Sequence, residues 1–386
     1  MASTIRCDVA IVGGGLAGGL LALALRARHP DLSLKLIEAG ERLGGNHVWS
    51  FFGADVAKEN RWLLTPLISH AWPGYRVAFP GHERSLEQPY YSIESGQFDA
   101  AVRAGLPEEA LMTGAKVLGV SATAVVLQSG DRVEATGVVD ARGSGDLSKL
   151  ELGWQKFLGR ELQLAAPHGR DRPIVMDARV AQLDGYRFMY SLPFGPDRMF
   201  VEDTYFADTP KLTAPSVRKR IEEYANEQGW TVLRATREEV GVLPITLGGD
   251  FDAYWQSGGR GVAKVGMRAG LFQPATGYSL PDAVRLAIKL AARRDFAGSA
   301  LHKEAYDHAR KVWRERRYYR MLNAMLFRAA DGPDRVKVLE RFYRLGPGLV
   351  RRFYAGQSTF GDKARILIGK PPVPVGRALI ALRGVR

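Results

Sequence analysis

Two adjacent carboxylates, Glu202 and Asp203, lie within the apolar and aromatic stretch MFVEDTYF. A carboxyl group among apolar side chains is poorly solvated, which favours the neutral form that can donate a proton as a general acid. Successive side chains of a β-strand point to opposite faces, so a regular strand places Glu202 with Phe200 and Asp203 with Tyr205. We therefore expect the two acids to act separately, with one of them facing an apolar cavity.

A β-hairpin is predicted to position these acids. The aromatic stretches YRFMYSLPF and RMFVEDTYF flank the sequence Gly-Pro-Asp, which is typical of a turn between two strands. Two alternatives to a catalytic Glu202 stay open at this point. In one, Glu202 is a structural acid that pairs with Arg187 or Arg198 across the hairpin; in the other, Asp203 is the catalytic acid.

Other titratable residues are candidates for the same cavity. Glu238 and Glu239, in the stretch REEVGVLPI, are rival acids for which a structural or substrate-facing role is favoured. His47 precedes the aromatic residues Trp49 and Phe51 and is a candidate base, with simple packing as the favoured interpretation. No cluster of residues predicts a metal site.

The first forty residues have the spacing of a dinucleotide-binding turn. The apolar stretch DVAIV predicts a strand, Gly13, Gly15 and Gly18 follow in GxGxxG spacing, and strong helix formers cover residues 16–28. The first glycine permits a tight turn, the second lets a pyrophosphate approach the backbone, and the third lets helix and strand pack closely. Free N–H groups at the helix start attract phosphate. A second strand, SLKLIE, ends at Glu38, which is placed to accept a hydrogen bond from a ribose hydroxyl.

Three later segments resemble segments of FAD-binding proteins. AGERLGGN, after the second strand, resembles flavoproteins more than nicotinamide dehydrogenases. GVVDARG resembles the late strand that FAD enzymes place beside the cofactor, and VGMRAGLFQPATGYSLPDAVRLAIKLA, which predicts a strand, a turn and a helix, resembles their segment near the flavin ring. Many flavoproteins have Gly-Asp where this chain has Gly266 and Met267, so an aspartate contact to the ribityl chain is not supported. The candidate FAD-binding residues in these segments are Arg42, Gly44, Asp140, Arg142, Gly143, Gly266, Pro274, Gly277 and Tyr278.

The positive charge of the chain is concentrated at its C-terminal end. The 386 residues carry a formal net charge of +13, and residues 301–386 hold 20 Lys and Arg against 7 Asp and Glu. This asymmetry indicates an acidic partner surface, either anionic lipid or nucleic acid, with a solvated basic face as the alternative. No run of about 18 apolar residues occurs, so no transmembrane helix is expected. Cys7 is the only cysteine, which excludes an intramolecular disulfide and fits a reducing cytoplasmic setting.

Several short stretches, spread in order over most of the chain, carry a resemblance to a known family. They are DVAIVGGGLAGGLLALAL, GGNHVWSFF, PYYSIESGQFD, VVDARG, GWQKFLG, FVEDT, EEVGVLPITL, QPATGYSLPDAV and RYYRMLNAMLF. With these stretches the chain resembles the bacterial lycopene β-cyclase family. The resemblance implies an α/β, two-domain FAD-binding fold of the Rossmann type, like that of aromatic hydroxylases, with a β-sheet substrate domain and a helical C-terminal region.

The resemblance also implies an activity and a catalytic acid. The activity is the redox-neutral conversion of the linear ends of lycopene to β-rings, giving γ-carotene and then β-carotene, with reduced FAD stabilising the carbocation and NADH or NADPH as reductant. The acidic motif of the family has a glutamate at the position of Glu202, which is therefore the expected acid. Gln273 departs from the family pattern, where histidine is expected; either that histidine has no catalytic role, or its role has changed here.

The resemblance and the segment order together predict a domain organisation. The expected units are a discontinuous FAD-binding domain (1–60, 90–150 and 255–300), a substrate domain (61–90 and 151–255) and a basic helical region (300–386). Because lycopene resides in membranes, the basic region is expected to face the inner membrane of a cytoplasmic protein, and no nucleic-acid partner is expected. Two alternative functions stay open: an FAD-dependent oxidoreductase, such as a hydroxylase or isoprenoid reductase, and a non-catalytic carotenoid-binding flavoprotein.

Overall fold

The computed structural model describes residues 3–368 and 375–382. Residues 369–374 and 383–386, part of the expected basic region, lie outside the described residues. The strands are β1 (Thr4–Val12), β2 (Leu34–Ile37), β3 (Val48–Phe52), β4 (His70–Trp72), β5 (Tyr75–Phe79), β6 (His82–Leu86), β7 (Tyr90–Glu94), β8 (Leu111–Met112), β9 (Val117–Val120), β10 (Ala124–Leu127), β11 (Arg132–Asp140), β12 (Leu150–Leu164), β13 (Ile174–Asp177), β14 (Tyr186–Gly195), β15 (Arg198–Ala207), β16 (Val232–Gly249) and β17 (Ala263–Lys264).

The α-helices pack against both large sheets and form most of the C-terminal region. They are α1 (Leu16–Arg28), α2 (Ser95–Gly105), α3 (Ala214–Glu227), α4 (Phe251–Ser257), α5 (Leu280–Ala291), α6 (Gly298–Glu315), α7 (Arg317–Ala329), α8 (Arg335–Tyr343), α9 (Pro347–Tyr354), α10 (Phe360–Leu367) and α11 (Val375–Leu382). No helix within the described ranges combines the length and the apolar character needed to span a bilayer.

The first sheet is built around parallel strands. Its order is β8–β2–β1–β11–β10–β9, and β17 pairs in parallel with the end of β11. β1 lies between β2 and β11 and runs parallel to both. Its last residues, Val9 to Val12, are buried, which is typical of a parallel strand covered on both faces. The predicted strand, helix and second strand at the N-terminus are confirmed, and α1 packs against α5.

The second sheet is mostly antiparallel and contains the predicted hairpin. Its order is β16–β12–β15–β14–β13–β5–β6. The hairpin consists of β14 and β15, which pair along most of their length. One face of the sheet carries a cluster of aromatic side chains, and the other packs against α3 through a separate apolar cluster.

The C-terminal helices connect the two large sheets. α7 packs against β16, and α11 lies against α7. The Asn323 amide on α7 donates one hydrogen bond to the carbonyl of Thr246 in β16 (2.9 Å) and another to the carbonyl of Pro274 (2.7 Å). One side chain therefore ties the second sheet to the turn that precedes α5. A smaller sheet, β3–β7–β4, completes the fold.

Asp203 lies on the α3 face of the second sheet, where it is fully paired. Its carboxylate accepts hydrogen bonds from Arg187 Nε (2.7 Å), Tyr205 Oη (2.6 Å) and Arg220 Nε (3.2 Å). Asp203 itself has no exposed surface, and Arg187 is also buried. A carboxylate with two cationic partners inside a sheet stabilises the fold through its charge, so this environment does not favour Asp203 as a proton donor.

Asp203→Asn is expected to destabilise the protein. The variant leaves the Arg187 and Arg220 guanidinium groups without their counter-ion, and breaking a buried pair this way typically costs about 3–5 kcal/mol. Urea denaturation followed by far-ultraviolet circular dichroism measures the change. The control is Asp307→Asn, which removes an exposed pair with Lys303 and should cost below about 1 kcal/mol. Equal losses in the two variants would contradict the assignment.

Candidate functional site

The turn after β1 leaves room for a ligand at one glycine and for close packing at the others. Gly13 has a left-handed φ of +106°, and an added Cβ would lie 2.9 Å from the carbonyl group of Ala141. A Cβ on Gly18 would lie 1.9 Å from the carbonyl oxygen of Gly13, so α1 approaches the turn this closely only because Gly18 has no side chain. A Cβ on Gly15 would meet no atom within 4 Å. These are the three properties that a dinucleotide-binding turn requires.

A cavity of about 550 Å³ opens in front of this turn. The start of α1 on its wall has no side-chain cap and no acidic residue in its first turn, so its N–H groups are available to phosphate. The size and these backbone donors fit a dinucleotide. The cavity is lined by Val12, Gly13, Gly15, Leu16, Ala17, Ile37, Glu38, Ala39, Gly44, Gly45, His47, Trp49, Ala115, Val117, Ala141, Arg142, Gly143, Gly266, Met267 and Ser279.

Two charged side chains are held in fixed positions on the cavity wall. The Glu38 carboxylate accepts hydrogen bonds from the backbone N–H groups of Gly14 (2.7 Å) and Gly40 (2.9 Å), which orients it and leaves lone pairs for a ribose hydroxyl. Arg142 forms a bidentate pair with Asp140, with both N–O distances 2.9 Å. Asp140 is fully buried behind Arg142, so it orients the arginine and does not itself line the cavity.

Three further glycines predicted to bind FAD lie at the cavity, but Arg42 does not. Gly44, Gly143 and Gly266 line the cavity, whereas Arg42 is exposed and does not. Gly266 has a φ of +60°, and an added Cβ would lie 2.6 Å from the Cβ of Ala17 in α1. The segment after β17 therefore approaches α1 too closely for any larger residue.

The Pro274–Tyr278 turn lies between the cavity and the second sheet. Ser279, directly after the turn, and Met267, earlier in the same segment, line the dinucleotide cavity. Met267 places an apolar side chain on the wall at the position where many flavoproteins have an aspartate. Gly277 adopts a left-handed φ of +71°, which the tight turn requires. Tyr278 lines a different void, the one that contains Glu202.

Glu202 projects from β15 into a narrow void of about 20 Å³. Its carboxyl accepts a hydrogen bond from Thr204 Oγ1, and no salt bridge to it occurs in the described part of the chain. The pKa of Glu202 is raised to about 8, mainly by burial; the Thr204 hydrogen bond opposes this rise, and the carboxylates of Glu239 and Asp203 contribute to it. Glu202 is therefore protonated at neutral pH. The void is lined by Phe52, Gln155, Val175, Met176, Phe188, Tyr190, Glu202, Phe206, Thr276, Tyr278 and Tyr354.

A row of residues crossing four strands places Glu202 and Glu239 on one face of the sheet. Tyr190 pairs with Glu202, Glu202 with Gly159, and Gly159 with Glu239. Side chains of directly paired residues share a face. Gly159 separates the two acids, and the ring of Phe200 covers it so closely that an added Cβ would lie 2.3 Å from the ring.

Glu239 holds His47 on the wall of the dinucleotide cavity. Its carboxylate accepts hydrogen bonds from the backbone N–H of Val48 (3.0 Å) and lies 3.0 Å from Nδ1 of His47. The His47 side chain is 51% exposed and its ring centroid lies 5.7 Å from that of Trp49, so the histidine packs on one side and faces the cavity on the other. Glu238 instead pairs with Arg218 at 2.7 Å, away from both cavities.

The proposed pairing of Glu202 with an arginine is also wrong. Arg187 lies opposite Tyr205 in the hairpin, so its guanidinium is on the Asp203 face of the sheet. Arg198 lies at the turn end of β15 and donates to Glu161 at 2.9 Å. The hairpin register therefore gives both arginines other partners and leaves Glu202 without a cation.

Sequence reasoning missed Asp55. This residue follows β3, is 4% exposed, and lines a second narrow void with Asp282, Arg285 and Arg316. The sequence feature that could have indicated Asp55 is its position as a single acid in the apolar stretch SFFGADV. Contacts between residues 55 and 282–316 could not be predicted from local patterns, because they depend on how α5 and α7 pack.

The fold and the dinucleotide cavity define a protein of the fold class that contains FAD-dependent monooxygenases, as expected from the sequence. A probable FAD-dependent monooxygenase from Pseudomonas aeruginosa is similar with a TM-score of 0.59, over 91% of this chain and 99% of that one, at 18% identity. A geranylgeranyl bacteriochlorophyll reductase-like protein from Thermoplasma acidophilum is similar with a TM-score of 0.55, over 99% and 97% of the two chains, at 14% identity.

Sequence comparison narrows this class to one family. The model of the lycopene cyclase protein family matches residues 8–380. A lycopene beta-cyclase from Pseudescherichia vulneris is 46% identical over 371 residues, which cover 96% of this chain and 96% of that protein. The chain belongs to the lycopene cyclase family.

Gly15→Ala is expected to weaken FAD binding while preserving the fold. Gly15 has φ −72° and ψ −175°, which alanine adopts readily, and the added methyl group meets no protein atom. We expect the free energy of unfolding without FAD to change by less than about 1 kcal/mol. The methyl group projects where a pyrophosphate approaches the backbone, so affinity for FAD should fall by about ten-fold or more.

Fluorescence titration with FAD and urea denaturation of the cofactor-free protein measure the two quantities. Gly96→Ala in α2 is the matched control, because its added methyl group also meets no atom within 4 Å but lies outside the cavity. Unchanged FAD affinity in Gly15→Ala would show that the turn does not bind the pyrophosphate.

Proposed function

We propose that the chain is a lycopene β-cyclase, an isomerase that closes the linear ends of lycopene into β-rings and yields γ-carotene and then β-carotene. The observation that carries the proposal is the buried carboxyl of Glu202, which faces an aromatic void without a cationic partner among the described residues; its raised pKa supports the same conclusion. Membership of the lycopene cyclase family supports it, as does the name of the relative from Pseudescherichia vulneris.

The void suits a hydrocarbon that must receive a proton. Glu202 is placed to donate its proton to C2 of the terminal C1=C2 double bond, which leaves a tertiary cation at C1. Attack by the C5=C6 double bond closes the ring, and loss of the proton at C6 gives the β-ring. Because the surrounding side chains exclude water, the cation is protected from capture as an alcohol.

The acid alone does not account for the reaction. A positioned general acid contributes about 10²–10⁴ in rate, so the site must also stabilise the cations. The rings of Phe188, Tyr190 and Phe206 line the void, and each aromatic face can contribute about 0.5–2 kcal/mol toward a cation. A reduced flavin supplies a nearby negative charge when it is bound.

The residues that would hold FAD are those of the larger cavity. Gly13, Gly15 and the start of α1 would bind the pyrophosphate, and Glu38 would bind the ribose. The Pro274–Tyr278 turn does not line this cavity but directly precedes Ser279, which does, and we propose that the turn contacts the flavin side of the cofactor. We propose NADH or NADPH as the reductant that brings the flavin to its reduced state, with none consumed per ring.

Glu202→Gln is expected to abolish ring closure, because the amide has no acidic proton. Purified protein with reduced FAD and lycopene in liposomes should lose at least about 10²-fold in the rate of β-carotene formation. The unaltered protein should lose activity as pH rises through about 8, where Glu202 ionises. Chromatography of the carotenoid products measures both effects.

The control for this variant is Glu161→Gln. Glu161 is a buried glutamate on the neighbouring strand β12, but it pairs with Arg198 and does not line the void. Glu161→Gln should keep most of its activity. An active Glu202→Gln protein would remove Glu202 from the mechanism.

The second candidate function is that of an FAD-dependent oxidoreductase. The similarity in fold to a probable monooxygenase and to a reductase-like protein is the reason to test it. An oxidoreductase consumes one NAD(P)H, or one oxygen, for each product molecule. A cyclase under anaerobic conditions with prereduced FAD consumes neither. Product formation coupled stoichiometrically to NAD(P)H loss would therefore replace the cyclase proposal.

We also propose that the C-terminal helices attach the protein to the cytoplasmic face of the inner membrane. Phe360 and Leu367, seven positions apart on α10, share one helix face and are 88% and 46% exposed. Ile368 (60%) and Ile380 on α11 (68%) are exposed nearby in sequence, together with the cation Arg365. Exposed apolar side chains beside cations are typical of segments that lie in a membrane interface.

Phe360→Asp is expected to weaken binding to anionic vesicles. Removing one phenylalanine from the interface costs about 1.5 kcal/mol or more, so the partition coefficient should fall about ten-fold. Phe360 is the first residue of α10, where an aspartate is favoured by the helix dipole, so the helix should persist. Vesicle flotation with phosphatidylserine liposomes measures the binding. Leu118→Asp, at a 63% exposed leucine on β9, is the control, and equal losses in both variants would contradict the proposal.

A further inference from the structure

Ring closure needs a proton acceptor as well as a donor. The inference that follows rests on the proposed cyclase function, in which the proton gained at C2 is balanced by a proton lost from C6. Since no electrons are transferred overall, the acceptor is a base that is ionised when the donor is protonated. A carboxylate inside the protein, close to the Glu202 void and free of strong partners, has the required properties.

Most buried carboxylates of the described chain are already engaged. Asp177 binds Arg179 and Tyr224. Asp203 and Glu239 have the partners given above. Asp282 receives hydrogen bonds from Arg316 and from Arg285. These carboxylates are occupied by cations or backbone groups, so taking up a proton would break a bond that the fold uses.

Asp55 is different. One oxygen, Oδ2, accepts the backbone N–H of Phe52 (3.0 Å), whereas Oδ1 is buried and has no hydrogen-bond partner among the described residues. Among the carboxylate side chains of the described residues, Asp55 alone has a buried oxygen without a hydrogen-bond partner. A buried polar atom without a partner is costly, and its retention often marks a functional role.

The position of Asp55 connects it to the acid. Asp55 lines a void whose wall contains Phe52, Thr276, Tyr278 and Tyr354, and the same side chains line the Glu202 void. The two carboxyls therefore face adjoining spaces that share one wall. Burial raises the pKa of the Tyr278 hydroxyl, and Glu202 and Asp55 each raise it further, so Tyr278 lies within electrostatic reach of both acids.

The charges around the two acids set the direction of proton transfer. Arg285 and Arg316, with Asp282 between them, line the Asp55 void and leave one excess positive charge there. The pKa of Asp55 is raised to about 7, mainly by burial; the Phe52 N–H and Arg285 oppose this rise, and Asp282 contributes to it. Glu202 has no cation in its void, and its pKa is about 8. Because cations line the Asp55 void and none lines the Glu202 void, the arrangement of charges favours an ionised Asp55 beside a protonated Glu202.

We propose that Asp55 is the base of the reaction, the carboxylate that accepts the proton lost from C6 when the ring forms. Glu202 delivers one proton to C2, the C1–C6 bond forms, and the C6–H bond breaks with its electron pair forming the C5=C6 double bond. The released proton goes to Asp55. Each ring closure therefore leaves Glu202 ionised and Asp55 protonated, and one proton transfer between the two carboxyls resets the site.

The test compares Asp55→Asn with the unaltered protein in D₂O, using reduced FAD and lycopene liposomes. The asparagine keeps an oxygen for the Phe52 N–H bond but cannot accept the C6 proton. We expect the rate of β-ring formation to fall about 10²-fold or more. Protonation by Glu202 still occurs, so the cation should either revert, placing deuterium in unconverted lycopene, or lose a different proton, giving rings with the double bond outside C5–C6. Mass spectrometry and chromatography detect the two signatures.

The controls separate catalysis from folding. Asp99→Asn removes a carboxylate that likewise accepts a backbone N–H bond, from Leu43, but lies outside both voids, and it should behave as the unaltered protein. FAD content and the thermal midpoint establish that Asp55→Asn is folded. A folded Asp55→Asn protein with normal activity would overturn the proposal. Lost activity with neither signature would also overturn it, since Asp55 would then only support the structure.

Failure of the cyclase proposal itself gives a different result. In that case the unaltered protein forms no cyclic carotenoid from lycopene, and its lycopene takes up no deuterium. The Asp55 proposal is contradicted only when the unaltered protein cyclises lycopene and the variant lacks both signatures or keeps its normal rate.

Discussion

A carboxyl group removed from water must either pair with a cation or keep its proton. Because neighbouring side chains of β15 point to opposite faces of the sheet, one of its two adjacent acids meets the first condition and the other meets the second. Asp203 points to the face that carries Arg187 and Arg220, and its carboxylate accepts hydrogen bonds from both guanidinium groups. Glu202 points to the aromatic face, where no cation lines its void, and it is protonated. A slip of one residue in the hairpin register would exchange these environments, so the register of β14 and β15 determines which acid pairs with arginines and which has no cationic partner.

The site also depends on bonds that hold the turn before α5 between the two sheets. The Gln273 amide donates to the carbonyl of Phe353 at the end of α9 and accepts from the N–H of Ala275. Arg316 donates to the carbonyl of Phe272. The C-terminal helices thus hold this segment through hydrogen bonds to its backbone and to Gln273. Gln273 has a structural role here, which accounts for an amide at a position where the family resemblance led us to expect histidine.

The features predictable from sequence are those specified by neighbouring residues. The bounds of α1, the three roles of the glycines and the opposite faces of Glu202 and Asp203 follow from local spacing, and the structure has all of them. The prediction of which side chains pair with each other failed, because pairing is decided by strand register and by packing between distant segments. Glu239 and His47 are 192 positions apart, and no local pattern indicates that they meet. The same holds for Asp55, whose charged neighbours are Asp282 and Arg285 of α5 and Arg316 between α6 and α7.

The small size of the Glu202 void has a consequence for binding. A volume of about 20 Å³ holds about one water molecule, so a carotenoid end group enters only when the wall has moved. Tyr354 of that wall lies at the end of α9 and is bonded to Tyr343 of α8 through their hydroxyls (2.7 Å). The conformation described here, in which the wall closes the void, therefore excludes the substrate. The apparent affinity is the intrinsic affinity multiplied by the fraction of molecules whose wall is open, and any surface that favours the open wall raises the affinity without touching the substrate.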